Sequence, residues 1–399
     1  MTRLTVAEHE VLRLAPAGPL SREQLQRLQH YYGSGHPYYT LTDRGIRLRQ
    51  FVGLLRLGDL ELEILPKIGA YQTPDFWRQR LLDLLTVTTS LQPDAPTRAH
   101  LRPRPGDNLL HRYLWQLHRQ VNALLQRGPQ RRYRRQRETG AVLRGKWDLG
   151  AQLRHDPATV TRFHLTDTRY TAETLANQLI SSAMLVGQRV ARGSGVGEAI
   201  GRLAGQWPAV PYPGRVTAAL FDQLARTRLS APYRATLATA RLLVLHHGSS
   251  LRSGREDTLA LLFDVNRLWE GFVAAALRGG GVRLLEQPRR TFWRAGQRAV
   301  HLRPDFVVQH GDRRLILDAK WKQYTGGRPS AADLRQVYAY AREFGAERAA
   351  LVVPGAGPQV SGIFPGSGLL AEVVRLPVTA QRADWLAHCR RLLTAWVTV

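Results

Sequence analysis

Apolar and polar positions alternate along short runs near the start of the chain. Residues 53–69, GLLRLGDLELEILPKIG, place Leu60, Leu62 and Ile64 on one face of a strand and two glutamates on the opposite face. A Gly-Asp pair at 58–59 interrupts this run, which is the composition of a tight hairpin turn. The stretch therefore predicts a β-hairpin with one apolar face.

Further along, the spacing of apolar residues changes to that of helices. Apolar stripes with a period near 3.6 residues occur at 109–126, 171–191, 232–247 and 330–345. Ser330 precedes the last of these and is the residue type that caps a helix N-terminus.

The carboxy-terminal part of the chain predicts the order helix, three strands, helix, strand. Residues 259–277, LALLFDVNRLWEGFVAAAL, predict the first helix, and 282–287 predict the first strand. Residues 303–322 predict two strands joined by a turn at 311–312, and a buried strand is expected at 347–354.

These patterns divide the chain into three expected domains. Residues 1–95 predict a β-rich domain, 96–254 a helical and arginine-rich region, and 255–399 a domain of helices and strands. We therefore expect an α/β protein (α+β overall). Its C-terminal core has the order α-β-β-β-α-β, preceded by a helical middle region and a β-leaning N-terminal domain.

The predicted hairpin at 303–322 carries charged side chains within apolar runs. If Gly311 and Asp312 form the turn, Asp305 lies opposite Asp318, and Lys320 shares the face of Asp318. Carboxylates opposed at ~5 Å repel each other, so a cation is expected between them. A hard divalent ion such as Mg²⁺ prefers carboxylate oxygens, and the ammonium can orient water or stabilise developing charge. The alternative is that both carboxylates lie exposed at strand ends.

The charge balance predicts a polyanionic partner. The 399 residues include 57 lysines and arginines against 31 aspartates and glutamates, a formal net charge of +26. Because this excess is spread along the chain, nucleic acid is favoured over an anionic membrane surface. The densest basic run, at 131–149, predicts phosphate contact or a solvated face. The candidate DNA-contact residues are Arg131, Arg132, Arg134, Arg135, Arg137, Lys146 and Lys322.

Lysine is rare in this basic chain. It occurs at positions 67, 146, 320 and 322, and every other basic residue is arginine. Two of the four lysines therefore fall within four residues of Asp318, which favours a site that needs a compact point charge.

Several classes of protein are disfavoured by composition. The single cysteine, Cys389, excludes an internal disulfide and a thiolate zinc cluster. No run of about 18 apolar residues occurs, and the start MTRLTVAEHEVLRL carries acidic residues where a signal peptide is apolar. We therefore expect a cytoplasmic protein that does not associate with membranes. The sequence has no G-x-x-x-x-G-K-[S/T] loop, so any dependence on NTP is expected to come from another chain.

The order of elements and acids resembles the PD-(D/E)xK nuclease core. The matching residues are Pro304-Asp305 and Asp318-Ala319-Lys320, with Glu270 as the acid on the first helix. Gln336 and Tyr340, spaced i, i+4 on the following helix, resemble the Gln-x-x-x-Tyr element of the RecB-like and Cas4-like branches of that superfamily.

Five segments together resemble McrC, the nuclease subunit of McrBC-type modification-dependent restriction systems. They are LLFDVNRLWEGFV, LRPDFVV, LILDAKWK, DLRQVYAYA and FVGLLRLGDLELEILPKIG. One departure is Gly271, where the pattern has a second acidic or polar residue after Glu270.

The resemblance implies a Mg²⁺-dependent (or Mn²⁺-dependent) DNA endonuclease. In that role Glu270, Asp305 and Asp318 would hold the metal, and Lys320 would act on the attacking water. Gln336 and Tyr340 would steady the same site. The family also implies an amino-terminal region that docks on a hexameric AAA+ GTPase, McrB, and stimulates its hydrolysis.

Other interpretations remain open from the sequence. The chain fits a free-standing RecB/Cas4-like repair exonuclease, a catalytically silent scaffold that activates an AAA+ partner, or a subunit that works with a related AAA+ ATPase. Glu270 could be merely exposed, and Gln336 and Tyr340 could serve only in packing.

Overall fold

The structure, a computed structural model, describes most of the chain. The described residues are 2–33, 35, 37–68, 73–88, 108–143, 145–155, 162–246, 258–278, 280–324, 328–378 and 382–398. The chain divides into two compact units, of which the first combines Met1–Leu110 with Gly248–Val399 and the second is His111–His247.

The amino-terminal part of the first unit is mostly β-structure. Its elements are β1 (Thr2–Ala7), β2 (Val11–Arg13), α1 (Arg22–Tyr32), β3 (Tyr39–Thr42), β4 (Gly45–Leu48), β5 (Phe51–Leu57), β6 (Leu60–Leu65) and α2 (Pro74–Thr88). The predicted hairpin at 53–69 is confirmed, because β5 and β6 pair antiparallel with Leu57 opposite Leu60. Gly58 occupies the turn with φ +58°, a conformation that favours glycine.

The acidic face of this hairpin is buried. Glu61 lies 2.7 Å from Arg3 and 2.5 Å from Arg56, and Glu63 lies 2.6 Å from Arg78. Both glutamates have no exposed surface. Buried carboxylates need such partners, so these ion pairs hold β1, β5 and α2 around β6.

The second unit combines helices with a small sheet. Its elements are α3 (Leu109–Arg127, which begins in the first unit), β7 (Arg132–Gly140), β8 (Lys146–Trp147), α4 (Leu149–His155), β9 (Phe163–Thr171), α5 (Leu175–Val190), α6 (Gly195–Gln206), α7 (Ala218–Ala225) and α8 (Ala231–His246). The predicted helices near 109–126, 171–191 and 232–247 are confirmed. The basic run at 131–149, in contrast, lies largely in the sheet β7-β9-β8, which the sequence did not predict.

The remaining elements of the first unit follow in chain order. They are β10 (Thr258–Asp264), α9 (Val265–Arg278), β11 (Arg283–Glu286), β12 (Arg290–Ala295), β13 (Arg298–Leu302), β14 (Phe306–His310), β15 (Arg313–Ala319), α10 (Ala331–Phe344), β16 (Arg348–Pro354), β17 (Val360–Ile363), β18 (Leu370–Leu376) and α11 (Arg382–Thr398).

The prediction of one helix over 259–277 is wrong for its first part. Residues 258–264 form β10, which pairs antiparallel with β5. Asp264 then accepts a hydrogen bond of 2.9 Å from the backbone N–H of Asn266 and so begins α9. Periodicity cannot distinguish a short strand with a continuous apolar run, here 259–263, from a helix, and the partner strand lies about 200 residues earlier in the chain.

The pairing of β10 also bears on domain organisation. It completes the sheet β1-β6-β5-β10, which contains strands from both ends of the chain. The expected division at residues 95 and 254 separates these strands, whereas in the structure they belong to one unit.

A six-stranded sheet with the order β11-β14-β15-β16-β18-β17 is the centre of the carboxy-terminal part. β14 and β15 are antiparallel, while β15, β16 and β18 run parallel. The register predicted for the hairpin at 303–322 is confirmed, with Phe306 opposite Leu317 and Val308 opposite Leu315.

Helices cover both faces of this sheet. On one face Leu315 and Leu317 belong to a core with Trp269 of α9 and Trp385 of α11. On the other face Ile316 packs in a cluster with α10. None of the helices in the described part of the chain is both long and apolar enough to span a membrane.

Candidate active site

The β14–β15 hairpin brings two carboxylates together at the end of the central sheet. The register places Asp305 beside Asp318, one residue beyond the last pair, Phe306 and Leu317. The Asp305 carboxylate accepts a hydrogen bond of 2.8 Å from the backbone N–H of Ala319. Asp318 is 2% exposed, whereas Asp305 is partly accessible. The predicted juxtaposition is therefore present, with one carboxylate buried and the other at the surface of the site.

A chain of polar contacts runs from Asp318 to α10. The Lys320 ammonium lies 2.7 Å from Asp318 Oδ2 and donates a hydrogen bond of 3.0 Å to Gln336 Oε1. Gln336 Nε2 in turn donates to the Tyr340 hydroxyl at 2.8 Å. Both α10 residues are reached because i, i+4 spacing puts them on one helical face. Four of the predicted residues thus form a continuous series of contacts, in the order Asp318, Lys320, Gln336 and Tyr340.

Glu270 is joined to the site from α9 by a residue that the sequence did not single out. Gln287, which follows β11, donates a side-chain hydrogen bond of 3.3 Å to Glu270 Oε2 and a backbone hydrogen bond of 2.8 Å to the carbonyl of Asp305. Its side-chain oxygen accepts a hydrogen bond from Arg303. Gln287 has φ +47°, which is uncommon for a residue other than glycine. This conformation turns the backbone so that one residue touches both acids.

The departure at Gly271 has a steric reason. A Cβ atom at this position would lie 2.7 Å from Cγ2 of Thr88 on α2. A larger residue after Glu270 would require the Thr88 side chain or α2 to shift, so the close contact favours glycine.

Burial and mutual repulsion shape the electrostatics of the three acids. Burial, with repulsion from Asp318 and Glu270, raises the pKa of Asp305 to about 7. Burial likewise raises the pKa of Asp318, against the attraction of Lys320. Burial and the negative charges of Asp264 and Asp318 raise the pKa of Glu270. Burial is the largest cause of each shift, and a bound cation would stabilise the charged form of each carboxylate against it.

The donor set fits a hard divalent ion that keeps part of its own water shell. Asp318 Oδ2 is buried, with the Lys320 ammonium 2.7 Å away, and a carboxylate oxygen so placed keeps a lone pair for a cation. Among the described residues, no three His, Cys, Asp or Glu side chains are arranged to hold a metal ion by themselves. Mg²⁺ is commonly held by one or two carboxylates, with water and substrate phosphate completing its shell. Asp305 and Asp318 fit that pattern, with Glu270 beside them.

Lys322 lies next to this site but has a carboxylate partner. Its ammonium forms an ion pair with Asp333, which also accepts a hydrogen bond of 2.6 Å from the Ser330 hydroxyl. Burial disfavours the Asp333 carboxylate, but the contacts with Lys322 and Ser330 outweigh it and lower its pKa. Lys322 thus connects the segment that follows β15 to the N-terminus of α10.

The other candidate DNA-contact residues lie in the second unit. Arg134 pairs with Glu173 at 2.7 Å, and Arg137 lies 3.8 Å from Asp148. Some basic residues here are exposed and have no ion pair among the described residues. They are Arg131, which directly precedes β7, Arg132 and Arg135 of β7, and Lys146 of β8.

A second residue missed by sequence reasoning comes from the amino-terminal part. Glu8, only 2% exposed, accepts hydrogen bonds of 2.9 Å from the indole N–H of Trp321 and 3.1 Å from the backbone N–H of Lys67. Trp321 directly follows Lys320 and packs against Trp269, the neighbour of Glu270. No local pattern predicts this contact, because it joins residues 313 positions apart.

The chain matches one protein family over most of its length, and its fold is similar to that of two solved structures. Residues 46–354 match the family described as McrBC 5-methylcytosine restriction system component. The fold is similar to a structure described as a refined half-complex from a tetradecameric assembly of Thermococcus gammatolerans McrB AAA+ hexamers with bound McrC. The TM-score is 0.76 at 19% identity, over 99% of this chain and 100% of that one. A cryo-EM structure of the McrBC complex of the same organism aligns with 71% of this chain and 90% of that one, with TM-score 0.53 at 18% identity. No curated protein sequence matches.

Proposed function

Because this chain belongs to the family of McrBC 5-methylcytosine restriction system components, we propose that it is the Mg²⁺-dependent (or Mn²⁺-dependent) DNA endonuclease subunit of such a system. In this proposal residues of α9, β11, β14, β15, α10 and β16 form a PD-(D/E)xK core. The activity would be exercised in the cytoplasm on DNA that carries the target modification.

The observation that carries this proposal is the convergence of three features at the end of one hairpin. Asp305 and Asp318 lie side by side, and the Lys320 ammonium lies 2.7 Å from Asp318. Lys320 also donates a hydrogen bond to Gln336, which in turn donates one to Tyr340. A purely structural ion pair would not require a second acid whose pKa is raised to about 7.

Each residue of the proposed active site would have a distinct role in phosphodiester hydrolysis. A divalent ion bound by Asp305 and Asp318, with Glu270 beside it, would polarise the scissile phosphate and lower the pKa of water. Lys320 would orient the attacking water and stabilise the charge that develops on the phosphate oxygens. Gln336 holds the Lys320 ammonium through its side-chain oxygen, and Tyr340 fixes the orientation of that amide. Both would therefore act by positioning the lysine.

Residues outside the proposed active site would bind the DNA backbone and the AAA+ partner. The exposed basic residues of β7 and β8 would contact phosphates without reading sequence. By analogy with the described McrB hexamers with bound McrC, a hexameric AAA+ GTPase or ATPase would be the partner, and residues 1–95 would dock on it and stimulate its hydrolysis.

Plasmid cleavage tests the proposal. The purified chain and its AAA+ partner are incubated with methylated or unmethylated closed-circular DNA, Mg²⁺, and GTP or ATP. We expect cutting with one combination of nucleotide and DNA, and a loss of at least ~100-fold in Asp318→Asn. Asp312→Asn is the matched control, since Asp312 lies exposed in the turn of the same hairpin and the charge change is identical.

Each alternative has its own outcome in this assay. Undiminished cutting by Asp318→Asn would refute the assigned active site. Hydrolysis stimulated equally by wild type and Asp318→Asn, with no cutting by either, would support a silent activating scaffold. Digestion confined to linear DNA and independent of the partner would support a free-standing exonuclease.

A further inference from the structure

The β12–β13 hairpin is inserted in the chain between two strands of the central sheet but pairs only within itself. Every residue of β12 is exposed, including Phe292 at 52% and Trp293 at 57%, and Val300 of β13 is 50% exposed. The pairing shifts by one residue at Phe292, where a bulge lies between Thr291 and Trp293. A two-stranded ribbon with large apolar side chains exposed is marginal on its own, so folding alone does not account for these residues.

The hairpin is also strongly and uniformly basic. Between Pro288 and Pro304 the sequence contains no acidic residue. The arginines of this segment are Arg289, Arg290, Arg294, Arg298 and Arg303. Arg290 lies near Glu343, and Arg303 bonds to Gln287. Arg289, Arg294 and Arg298 make no ion pair with any residue that the structure describes.

Both ends of the hairpin meet at the candidate active site. β13 ends at Leu302, three residues before Asp305, and β12 begins three residues after Gln287. The backbone N–H of Gln287 donates to the carbonyl of Asp305, so the base of the hairpin and the carboxylate share a hydrogen bond. The six residues of β12 extend about 20 Å at ~3.3 Å per residue. That length corresponds to about six base pairs of duplex.

We propose that the β12–β13 hairpin docks in the major groove of the duplex next to the scissile phosphate. A two-stranded ribbon fits that groove, which is about 12 Å wide. Arg294 and Arg298, on opposite strands near the tip, contact phosphates, while Phe292 and Trp293 pack against sugars and base edges. The uniform positive charge beside a phosphodiester-cleaving site favours DNA over a protein partner as the occupant. This inference rests on the proposed nuclease function.

Binding of the full-length chain to a duplex of about 30 base pairs tests the docking without any cleavage. Fluorescence anisotropy is measured without Mg²⁺ between about 50 and 200 mM salt. Arg294→Gln with Arg298→Gln should lower the slope of log K against log salt by about 2 and raise the Kd ~10- to 100-fold at low salt. Arg13→Gln with Arg22→Gln is the matched control, because both arginines are exposed and the charge change is equal. The control should leave the slope unchanged.

Trp293→Ala gives a second, independent signature. It should raise the Kd at least ~5-fold without changing the salt slope, since an apolar contact releases no counterions. Tyr212→Ala is its control, because Tyr212 is a 51% exposed aromatic residue in the second unit.

Several results would overturn the inference. One is that both hairpin variants have the same salt slope and Kd as their controls. Another is that the wild type does not bind the duplex at low salt. A third is that the hairpin variants lose binding to the AAA+ partner while their DNA binding is unchanged. Failure of the proposed function is distinguishable from these. A chain that binds DNA through the hairpin but never cuts would refute the nuclease, and a chain that cuts with unaffected hairpin variants would refute only the docking.

Discussion

At the scale of single residues, Glu8 has a buried charge and a defined pair of donors. Burial raises the pKa of Glu8 above its usual value, although hydrogen bonds from Lys67 and Trp321 favour the charged form. An acid whose folded-state pKa is raised contributes stability at low pH, and that contribution is lost as pH rises through the folded pKa. Glu8 therefore costs stability near neutral pH while it positions Trp321 beside Lys320.

Replacement of Glu8 separates its charge from its hydrogen bonds. Glu8→Gln keeps an acceptor for Trp321 and removes the charge, so its free energy of unfolding should rise relative to wild type as pH increases from about 4.5 towards 8. Glu8→Ala leaves the buried indole N–H of Trp321 and the backbone N–H of Lys67 without an acceptor and should cost ~2–4 kcal/mol. Urea denaturation at several pH values measures both. A difference between wild type and Glu8→Gln that does not change with pH would contradict the buried charge.

Gln287 contacts both Glu270 and the backbone of Asp305, and it does so with an uncommon positive φ. Removal of its side chain frees Glu270, so Gln287→Ala should lower cleavage ~10-fold and raise the Mg²⁺ concentration needed for half-maximal cleavage. Gln287→Gly should show the same loss with normal stability, because glycine adopts φ +47° without strain. A shift in Mg²⁺ dependence is not expected from a packing defect. Gln359→Ala, at an exposed position, is the control, and equal Mg²⁺ curves for all variants would contradict the role.

The difference between predicted and missed residues has a local cause. Asp305, Asp318 and Lys320 follow from one turn and strict alternation, since a two-residue connection sets the register of the whole hairpin. Gln336 and Tyr340 follow from helical spacing. Gln287 depends on a backbone angle that its sequence does not encode, and Glu8 depends on a contact across most of the chain. Neither kind of information is present in periodicity.

At the scale of elements, β5 and β10 approach so closely at one point that only glycine fits. A Cβ atom on Gly53 would lie 1.9 Å from the carbonyl oxygen of Leu261, and Gly53 has φ +134°. Gly53→Ala should therefore destabilise the protein by about 3 kcal/mol or more, by clash and backbone strain together. Chemical denaturation measures the effect.

Gly362→Ala is the matched control for that substitution. Gly362 also lies in a strand, but a Cβ atom there meets no atom within 4 Å and its φ is not positive. It should change the free energy of unfolding by less than ~0.5 kcal/mol. Similar stabilities for the two variants would show that the β5–β10 approach is not as close as described.

The elements that the sequence did not predict share a feature. β10 has a continuous apolar run at 259–263 and depends on a partner strand from the other end of the chain, while β7 and β12 are rich in arginine and lack a buried face. Alternation identifies strands only when one face is buried, so exposed ribbons give no such signal. The hairpins β5–β6 and β14–β15 have buried faces; the turn of the first and the register of the second were predicted correctly.

At the scale of the whole molecule, the candidate active site depends on the amino-terminal part of the chain. Val52, Trp77 and Leu81 lie in the same core as Trp269 and Trp321. The rings of Trp77 and Trp321 are 6.2 Å apart, and β10 has β5 as its neighbour in the sheet. The domain expected at 255–399 therefore shares its core with residues from the amino-terminal part of the chain.

A fragment of residues 258–399 should therefore not fold by itself. It keeps the candidate acids but exposes the face of α9 that α2 covers, and it leaves β10 without the neighbouring strand that satisfies its backbone groups. We expect no cooperative urea transition and a red-shifted tryptophan emission. Addition of a second fragment, residues 1–110, should restore a cooperative transition, because it supplies β5 and α2. The matched control is the second fragment with Gly53→Ala, which should restore it poorly. A cooperative transition of 258–399 alone, unchanged by the second fragment, would show that the carboxy-terminal domain is autonomous and that Glu8 and α2 are dispensable for its structure.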